Sequence, residues 1–325
     1  MGGHLKGATM VKRLHIVPEA NEANGMFQVA RMLAVRDGGE LRDTDGAPYV
    51  VDGVAFENPA DWARFATKDG VGHPVEWFDE VWVHGMWLPK EWAACRAALC
   101  AGKRLVRMTH GSLSPIYLTR QSPLKKKLVS PIERYFLRSA DKVVVTCQAE
   151  KGWIESYLGR RRPPIEITDI KRFFNLNPTE TLGQTLNLTL NSQQTDTCRP
   201  LHILYLGRRH PLKGLEYLEA AVQGLTNADL LIVSDAFGDE LEKVWDWCDV
   251  LVLPTLSENF GLVIAEALER CKHVITTDGA PAWGDGNDYC GRLVYLKGFR
   301  DGTNETRVSL LREAIGQLTK RRNHV

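Results

Sequence analysis

The sequence predicts an α/β protein with two doubly wound domains, each built on a parallel sheet. Short runs that are apolar on both faces recur along the chain, amphipathic helical patterns lie between them, and a polar segment divides the runs into two sets. Short runs apolar on both faces are typical of strands buried in a parallel sheet. Their alternation with helical patterns is typical of α/β architecture.

The first set of apolar runs predicts the strands of a first domain over residues 1–165. Amphipathic stretches at Phe27–Val35 and Trp92–Ala101 predict two of the helices that lie between these strands. The predicted strands are Leu14–Val17, Glu80–Val83, Arg104–Val106 and Lys142–Val145.

Residues 166–197 predict a linker or an irregular surface segment. Arg160–Pro164, in which arginines precede two prolines, comes just before this segment, and Thr179–Thr197 is rich in Thr, Asn and Gln. Such a composition buries little apolar surface, so we expect a linker or a surface loop.

The second set of runs predicts a second domain over residues 198–325. Helical patterns lie at Gly214–Gln223 and Val263–Glu269. A ligand of a doubly wound domain binds at the carboxyl ends of its strands, so we expect the site residues in the loops that follow the strands. The predicted strands are Leu201–Leu206, Leu230–Val233, Val250–Leu253 and His273–Ile275.

Composition and charge exclude several classes of protein. The chain has 325 residues, of which 44% are hydrophobic and 25% are charged, as in ordinary globular proteins. The net charge is +1, so no global field attracts nucleic acid, and an anion site must be local. The 7 cysteines are scattered and never form C-x-x-C, which indicates free thiols in a reducing compartment. With neither a signal-peptide core in Met1–Lys12 nor an apolar run of membrane-helix length, we expect a cytoplasmic protein.

The most informative segment runs from Leu253 to Leu268. A predicted strand ends at Pro254, a small polar loop follows, and a helix is predicted to begin near Phe260. A helix N-terminus has unpaired N–H groups and a partial positive charge, which together favour an anion. Glu258 in the loop and Glu266 in the helix could meet different parts of a bound ligand, although two solvated glutamates are the simpler interpretation of that pair alone.

A second segment, Leu206–Gly214, places two cations beside another strand end. Arg208 and Lys213 flank the turn between the predicted strand and the next helix. Cations beside a helix N-terminus suit a pyrophosphate, because charge-assisted hydrogen bonds to its oxygens are strong. A basic turn on a solvated face is the alternative interpretation.

Taken together, these segments resemble a known family. G-R-x-x-P-x-K-G at Gly207–Gly214, followed by S-E-N-F-G-x-V-x-x-E-A-L at Ser257–Leu268, resembles the retaining nucleotide-sugar glycosyltransferases of the GT-B fold, and most closely their family 4 group. Cys248–Pro254 and Val274–Pro281 are similar to the elements on either side of the second motif. The resemblance implies two Rossmann-like domains that face each other across a cleft.

The first domain shows weaker similarity to the same family. His84–Trp87 and Thr109–Pro115 are similar to the H-G-x-W and P-H-G-M-L-x-P elements of the subgroup that builds lipopolysaccharide and exopolysaccharide. Asn24–Gly25 stands where that group has a glycine loop after the first strand. The similarity is strong over residues 201–285 and moderate over residues 80–150.

The resemblance implies a donor site in the second domain. Arg208 and Lys213 would bind the diphosphate of a UDP-sugar or GDP-sugar, and Glu266 would accept hydrogen bonds from the ribose hydroxyls. The nucleotide sugar is then a substrate, and no cofactor is expected.

The resemblance also assigns roles around the transferred sugar. Glu258 would contact the sugar, and the backbone N–H groups of Asn259, Phe260 and Gly261 would help to seat the sugar and phosphate. Gly25 would allow the backbone to approach the donor closely.

His110 would lie across the cleft, near the anomeric carbon and the acceptor. Because no protein nucleophile is evident, the mechanism that the family implies is attack from the front face with retention of configuration. The departing diphosphate would take the proton of the acceptor, and a cation pair and helix dipole would stabilise its charge.

Metal binding is not expected. Asp43-Thr44-Asp45 forms a D-x-D, which in another glycosyltransferase fold binds a metal between diphosphate oxygens. Here it follows Arg36–Glu40, which predicts a polar loop with no strand before the aspartates.

Lys125, Lys126 and Lys127, followed by Arg134 and Arg138, form a basic stretch in the first domain. Cations near an anionic lipid surface each contribute about 1 kcal/mol of attraction. The stretch therefore predicts either a solvated face or a surface for anionic lipid or a phosphorylated glycolipid, at the inner face of the cell membrane.

Two features depart from the family. Between Leu230–Val233 and Asp246–Pro254 the chain is short, so one helix–strand unit of the second domain is predicted to be missing. That unit helps to enclose the nucleotide base in the family. Residues 166–197 also lack the usual N-G turn before the second domain.

The leading hypothesis is a retaining hexosyltransferase that acts on a cell-surface glycan or glycolipid, such as lipopolysaccharide core, O-antigen or exopolysaccharide. The alternative is a catalytically impaired relative that binds a glycan or partner. A GT-B nucleotide-sugar epimerase is a third hypothesis, and the E-x7-E spacing of Glu258 and Glu266 argues against it.

Overall fold

The computed structural model describes residues 11–19, 24–43, 78–120, 122–176, 199–234, 236–287 and 289–322. The chain divides into two compact units, Met1–Thr168 and Asp169–Val325.

Strands and helices alternate along the first unit. The helices are α1 (Gly25–Asp37), α2 (Pro89–Cys100), α3 (Pro115–Arg120), α4 (Pro123–Arg138) and α5 (Gln148–Leu158). The strands are β1 (Arg13–Val17), β2 (Glu40–Asp43), β3 (Glu80–His84), β4 (Arg104–Met108), β5 (Lys142–Val145) and β6 (Ile165–Ile167).

The first sheet is parallel, with the strand order β2-β1-β3-β4-β5-β6. Its two faces are covered by different helices. On one face Val17 packs with Phe27 and Ala30 of α1. On the other face a cluster that includes Leu14 and Val83 packs against α2 and α4. Because apolar strand residues are buried on both faces, the unit is doubly wound.

The second unit repeats this alternation. The helices are α6 (Leu215–Val222), α7 (Gly238–Trp247), α8 (Leu262–Glu269) and α9 (Asn304–Arg322). The strands are β7 (Leu201–Leu206), β8 (Ala228–Val233), β9 (Val250–Leu253), β10 (His273–Thr277) and β11 (Leu293–Leu296). They form a parallel sheet with the order β11-β10-β9-β7-β8.

The strand order of the second sheet agrees with the prediction that the connection after β8 is short. In the described residues β8 forms an edge of the sheet, and a single helix, α7, leads from it to β9 beside β7. A further helix–strand unit would have to extend the sheet beyond β8.

The interpretation of Arg36–Glu40 as a polar loop is wrong. Arg36 and Asp37 end α1, Gly38 caps the helix in the left-handed conformation with φ of 61°, and Glu40 begins β2. Asp43 is the last residue of β2, so a strand does precede the D-x-D. Thr44 and Asp45 lie outside the described residues.

Candidate active site

At the carboxyl end of the second sheet, the loops after β7, β9 and β10 hold one another in place. The N–H of Leu256 and the hydroxyl of Thr255 both donate to the carbonyl of Leu212, at 2.8 and 3.0 Å. The N–H of Glu258 donates to the carbonyl of Gly279 at 2.8 Å. These bonds fix the loops that carry the predicted donor residues.

Two glycines allow the loops to approach this closely. A Cβ at Gly214, which has φ of +65°, would lie 2.1 Å from the carbonyl oxygen of Pro254. A Cβ at Gly279 would lie 2.0 Å from the carbonyl oxygen of Thr255. Any side chain at either position would push the loops apart, so the glycines are required by backbone packing.

Lys213 and Glu258, which are 45 residues apart in sequence, form an ion pair in this loop cluster. Their side chains are 22% and 17% exposed. Lys213 ends a short 3₁₀ turn that His210 caps by accepting the N–H of Leu212 at 3.1 Å. The second carboxylate oxygen of Glu258 accepts the N–H of Asn259 at 3.1 Å. Two predicted site residues are therefore adjacent, and each is partly neutralised by the other.

Arg208 is exposed at the start of the same loop. Its side chain makes no ion pair or hydrogen bond within the described residues, and its carbonyl accepts the hydroxyl of Tyr205 at 3.1 Å. Burial, and then the charge of Glu258, raise the pKa of Tyr205 to about 12, so this hydroxyl keeps its proton. The next cation, Arg209, faces away and lies 3.7 Å from Glu219.

Aromatic packing fixes the start of α8. Phe260 is buried, its ring centroid lies 5.2 Å from that of Trp283, and its ring stacks on Phe174 at 6.4 Å. The indole N–H of Trp283 donates to the carbonyl of Phe260 at 2.5 Å. Gly261 follows with φ of 73° and begins the helix. The N–H groups of Phe260 and Gly261 make no hydrogen bond in the described part of the chain, so the helix start offers two donors.

Glu266 lies on α8, one turn beyond the start of the helix. Its carboxylate has no hydrogen-bond partner among the described residues. Burial raises its pKa, and the nearby cation of Arg270 opposes this rise. A half-buried carboxylate without a partner is stabilised when a hydroxyl donates a hydrogen bond to it.

In the first unit, Gly25 is the first residue of α1 and not part of a loop. The side chain of Asn24 caps this helix by accepting the N–H of Met26 at 3.0 Å. Residues 20–23, which complete the predicted glycine loop, lie outside the described residues.

His110 ends a chain of three hydrogen-bonded histidines across neighbouring strands. Nδ1 of His15 lies 3.1 Å from Nε2 of His84, and Nδ1 of His84 lies 2.8 Å from Nε2 of His110. The ring of Trp82 stacks on His15 at 4.9 Å. Burial lowers the pKa of His15 and of His110 to about 3, and it lowers the pKa of His84 well below its usual value. All three rings are therefore neutral near pH 7.

Glu150, buried at the start of α5, holds the loop that carries His110. One carboxylate oxygen accepts the hydroxyl of Thr109 at 2.7 Å and the N–H of Gly111 at 2.6 Å. The other oxygen accepts the N–H of Thr146 at 2.9 Å. His110 itself has φ of 49°, which is uncommon for a residue with a side chain, so the anchored loop maintains an unfavourable backbone conformation.

The His84–Trp87 element is supported by a buried polar cluster. The N–H of Trp87 donates to Glu133 at 2.5 Å, and Arg107 lies 3.4 Å from the second oxygen of Glu133. Arg107 also contacts the sulfur of Cys95 at 3.0 Å. Trp87 is buried in the core of the unit.

Lys126 does not belong to an exposed basic stretch. Its side chain is buried, its ammonium donates to the carbonyl of Tyr117 at 2.6 Å, and it lies 3.5 Å from the ring centroid of Tyr117. Burial lowers its pKa to about 8. Lys125, Lys127, Arg134 and Arg138 are exposed, so the predicted basic surface retains these four residues without Lys126.

Sequence reasoning did not identify His15 or Glu150. His15 lies in an apolar strand, where a single histidine is usually a packed core residue, and Glu150 lies in the first turn of an ordinary helix. The available signal was positional. His84 ends β3 and His110 follows β4, and β1, which carries His15, is the next strand along the sheet.

The described residues contain neither a metal-binding cluster nor a helix that could span a membrane. In the residues that the structure describes, no three His, Cys, Asp or Glu side chains group as a metal site would require. No helix in those residues combines the length and the apolar character that crossing a bilayer requires.

Comparison with known proteins gives two family matches in tandem. The model described as "Glycosyl transferase 4-like domain" matches residues 23–168, and "Glycosyl transferases group 1" matches residues 201–301. No curated protein sequence matches the chain.

Solved structures with a similar fold cover almost the whole chain. Sucrose-phosphate synthase from Thermosynechococcus elongatus is 14% identical with a TM-score of 0.55, over 96% of this chain and 94% of that one. HepE from Anabaena, solved in complex with UDP-glucose, is 15% identical with a TM-score of 0.59, over 97% of each chain. Trehalose 6-phosphate synthase from Burkholderia multivorans is 12% identical with a TM-score of 0.56, over 97% of this chain and 94% of that one.

At these identities the structural likeness shows the fold alone. The two family matches lie one in each unit, and both units have the expected doubly wound parallel sheet. The chain therefore belongs to the glycosyltransferases of the GT-B fold, with a glycosyl transferase 4-like domain followed by a glycosyl transferases group 1 domain.

Proposed function

We propose that the protein transfers a hexose from a UDP-sugar or GDP-sugar to a cell-surface glycan or glycolipid, with retention of configuration and without a metal ion. One observation carries this proposal. Lys213, Glu258 and the start of α8 lie together at the carboxyl end of the second sheet, and Glu266 lies on the same helix with no partner for its carboxylate in the described part of the chain.

The diphosphate is assigned to Lys213, Arg208 and the two unpaired N–H groups at the start of α8. These groups supply positive charge that stabilises the negative charge on the nucleoside diphosphate as it departs. The interlocked loops fix them in position before the reaction. Because cationic side chains provide this charge, the reaction as proposed needs no divalent metal. The carboxylate of Glu266 accepts hydrogen bonds from the ribose hydroxyls, which supply the partners that it lacks among the described residues.

The transfer step is proposed to occur on one face of the sugar. The acceptor oxygen forms its bond to the anomeric carbon on the face from which the diphosphate leaves, and the proton of the acceptor passes to an oxygen of the leaving phosphate. Glu258, released from Lys213 when the diphosphate binds, contacts the sugar hydroxyls. The bound UDP-glucose of HepE supports a donor of this class for the fold.

Weak discrimination among bases is part of the proposal. β8 forms an edge of the described sheet, so the wall that a further helix–strand unit would add beside the base is missing there. Contacts to phosphate and ribose then dominate the affinity, whereas base contacts would select one nucleotide over another.

The acceptor is proposed to lie at an anionic membrane surface, which α4 contacts. Leu124, Leu128, Ile132 and Tyr135 are all exposed, Leu124 and Leu128 by 77% and 80%. Their spacing of four, four and three residues places them on one face of α4. An exposed apolar face on a helix is typical of a helix that lies in a membrane interface.

Cations flank this apolar face. By helical geometry, Lys125 lies on one side of it, and Lys127, Arg134 and Arg138 lie on the other. The opposite face of α4 carries buried residues, among them Lys126, so the helix cannot turn over without unpacking the unit. Apolar insertion and attraction to anionic headgroups would therefore act through the same surface.

Vesicle sedimentation tests the membrane surface. We expect binding to vesicles that contain phosphatidylglycerol and little binding to pure phosphatidylcholine, with a steep loss between about 0.05 and 0.5 M salt as the Debye length falls from roughly 14 to 4 Å. Leu124→Ser with Leu128→Ser should abolish binding. Val35→Ser is the matched control, because Val35 is 50% exposed on another helix. Equal binding to both kinds of vesicle, or binding that the double variant retains, would contradict the membrane surface. The exposed face of α4 would then be an ordinary solvated face.

One observation favours the alternative, a relative that binds a glycan or partner without catalysis. Lys213 and Glu258 already satisfy each other, and a sheet that ends at β8 leaves the base side open. A protein with that site occupied internally could lose donor affinity.

Release of nucleoside diphosphate from a panel of UDP-hexoses and GDP-hexoses, with a glycolipid extract as acceptor, separates the two functions. We expect turnover that survives EDTA and a product whose anomeric configuration matches the donor by NMR. An inverted product would contradict retention. No release by a folded sample, with any donor, would favour the non-catalytic alternative.

A further inference from the structure

The histidine chain His15–His84–His110 has only two possible hydrogen arrangements. Each neutral imidazole carries one hydrogen, and each of the two hydrogen bonds in the chain uses one. The third hydrogen must therefore lie at an end of the chain, either on Nε2 of His15 or on Nδ1 of His110. The position of this one hydrogen decides whether the free nitrogen of His110 donates or accepts.

The two ends differ in their access to water. Nε2 of His15 is buried and has no hydrogen-bond partner among the described residues. Nδ1 of His110 makes no hydrogen bond within the described residues, and His110 is half-buried rather than fully enclosed. A buried N–H without a partner is rarer in folded proteins than a buried acceptor without one, whereas an N–H that reaches water or a ligand is satisfied. The hydrogen is therefore favoured at the His110 end.

The charges around the chain do not offer His15 an alternative partner. The charged groups that act on His15 are Asp37, which raises its pKa, and Arg13 and Arg36, which lower it. Arg107 acts on His84 and lowers its pKa further. Burial outweighs all of these, so the chain stays neutral over the physiological range.

We propose that His84 and His15 are positioning residues that hold His110 in the tautomer with its hydrogen on Nδ1, so that His110 donates a hydrogen bond to the substrate and does not accept its proton. Nε2 of His110 is occupied by the N–H of His84, and Nε2 of His84 is occupied by the N–H of His15. The substrate role rests on the proposed function, whereas the tautomer is a property of the resting protein.

This assignment agrees with the transfer step proposed above. There the proton of the acceptor goes to the leaving phosphate, so no side chain has to accept it. A donor at His110 instead orients an oxygen of the sugar or acceptor. The loop that Glu150 anchors keeps the ring in place while the histidine chain sets its hydrogen.

Two-bond ¹H–¹⁵N correlation spectra of the whole protein, labelled at histidine, test the tautomer directly. Each resonance is assigned from a single substitution, and His273→Gln on the exposed start of β10 is the matched control, which should leave the chain's resonances unchanged. We expect Nδ1 protonated and Nε2 unprotonated in all three rings, with no titration between pH 5 and 8. A hydrogen on Nε2 of His110, or averaging between the two tautomers, would overturn the proposal.

Kinetics test the positioning role. His84→Phe should lower kcat about tenfold, the loss expected for one hydrogen bond, with the donor KM unchanged. His84→Gln should restore most of this loss, because an amide can accept from His15 and donate to His110. If His84→Phe and His84→Gln are equally impaired, His84 has only a packing role and the positioning proposal fails. If the tautomer is as expected but no nucleotide sugar binds, the proposed function fails and the substrate role of His110 fails with it.

Discussion

Removal of the Lys213 ammonium should lower glycosyl transfer through two separate effects. The first is the loss of a cation that binds the departing diphosphate. The second arises because Lys213 pairs with Glu258, whose side chain is only 17% exposed. In Lys213→Ala the Glu258 carboxylate has lost its cationic partner and faces the phosphates directly.

The size of the combined effect follows from these surroundings. One preorganised charged or polar contact to developing charge accounts for about 10²- to 10³-fold in rate. A partly buried carboxylate left without its partner adds about 1–3 kcal/mol of unfavourable free energy, which diphosphate binding would increase. We therefore expect Lys213→Ala to lower kcat/KM by about 10²-fold or more.

Arg209→Ala is a close control. Arg209 belongs to the same turn but lies beside Glu219, so its removal should change kcat/KM by less than about threefold, as for an exposed ion pair. Initial rates of nucleoside diphosphate release measure both variants, and circular dichroism checks that both are folded. Near-normal turnover of folded Lys213→Ala, or an equal loss in Arg209→Ala, would refute the assignment of the diphosphate to Lys213.

Glu258→Gln should bind UDP about threefold or more tightly than the unmodified protein, because Lys213 is released and a negative charge is removed, although transfer should fall; weaker binding in calorimetry would contradict this. Glu266→Ala should weaken UDP binding about tenfold and leave pyrophosphate binding unchanged, since only the ribose contact is lost; an equal effect on both ligands would place Glu266 elsewhere. Activity should survive exhaustive chelation, and a complete loss that Mg²⁺ restores would reverse the metal-free mechanism and return attention to Asp43 and Asp45. Burial raises the pKa of Glu91 from 4.5 to about 8, so its contribution to stability is complete below pH 4.5 and is lost as pH rises to about 8. Glu91→Gln should therefore gain stability relative to the unmodified protein between those values in chemical denaturation, and a constant difference would contradict this.

The sequence predicted the buried strands well and most of the sheet edges poorly. Three strands were not predicted, namely β2, β6 and β11, and each lies at the edge of its sheet. An edge strand is covered less than a central one, so its residues need not be apolar. β2 reads Glu-Leu-Arg-Asp, and β6 reads Ile-Glu-Ile with two exposed positions. These two short, polar segments do not form the apolar runs on which the prediction depended. β11, which reads Leu-Val-Tyr-Leu, is apolar, so this reason does not explain why it was missed.

The site was predictable in its residue types but not in its pairings. The two motifs predicted that Lys213 and Glu258 lie in the same site. Their spacing does not show that the two side chains form an ion pair. Lys126 follows Lys125 in a basic run, yet the turn of α4 directs it to Tyr117. His15 was missed because only the strand order places it beside His84. Each of these facts depends on side-chain direction across separate elements.

Calorimetric titration of the whole protein with UDP, GDP, ADP and CMP tests the central claim most directly. That claim is that the loops after β7 and β9, together with the first turn of α8, form a nucleotide-sugar site. We predict measurable binding of UDP and GDP with weak discrimination between them, and a loss of binding in Lys213→Ala. If none of the four binds a folded sample at millimolar concentration, the claim is contradicted and the chain is a GT-B protein without a working donor site.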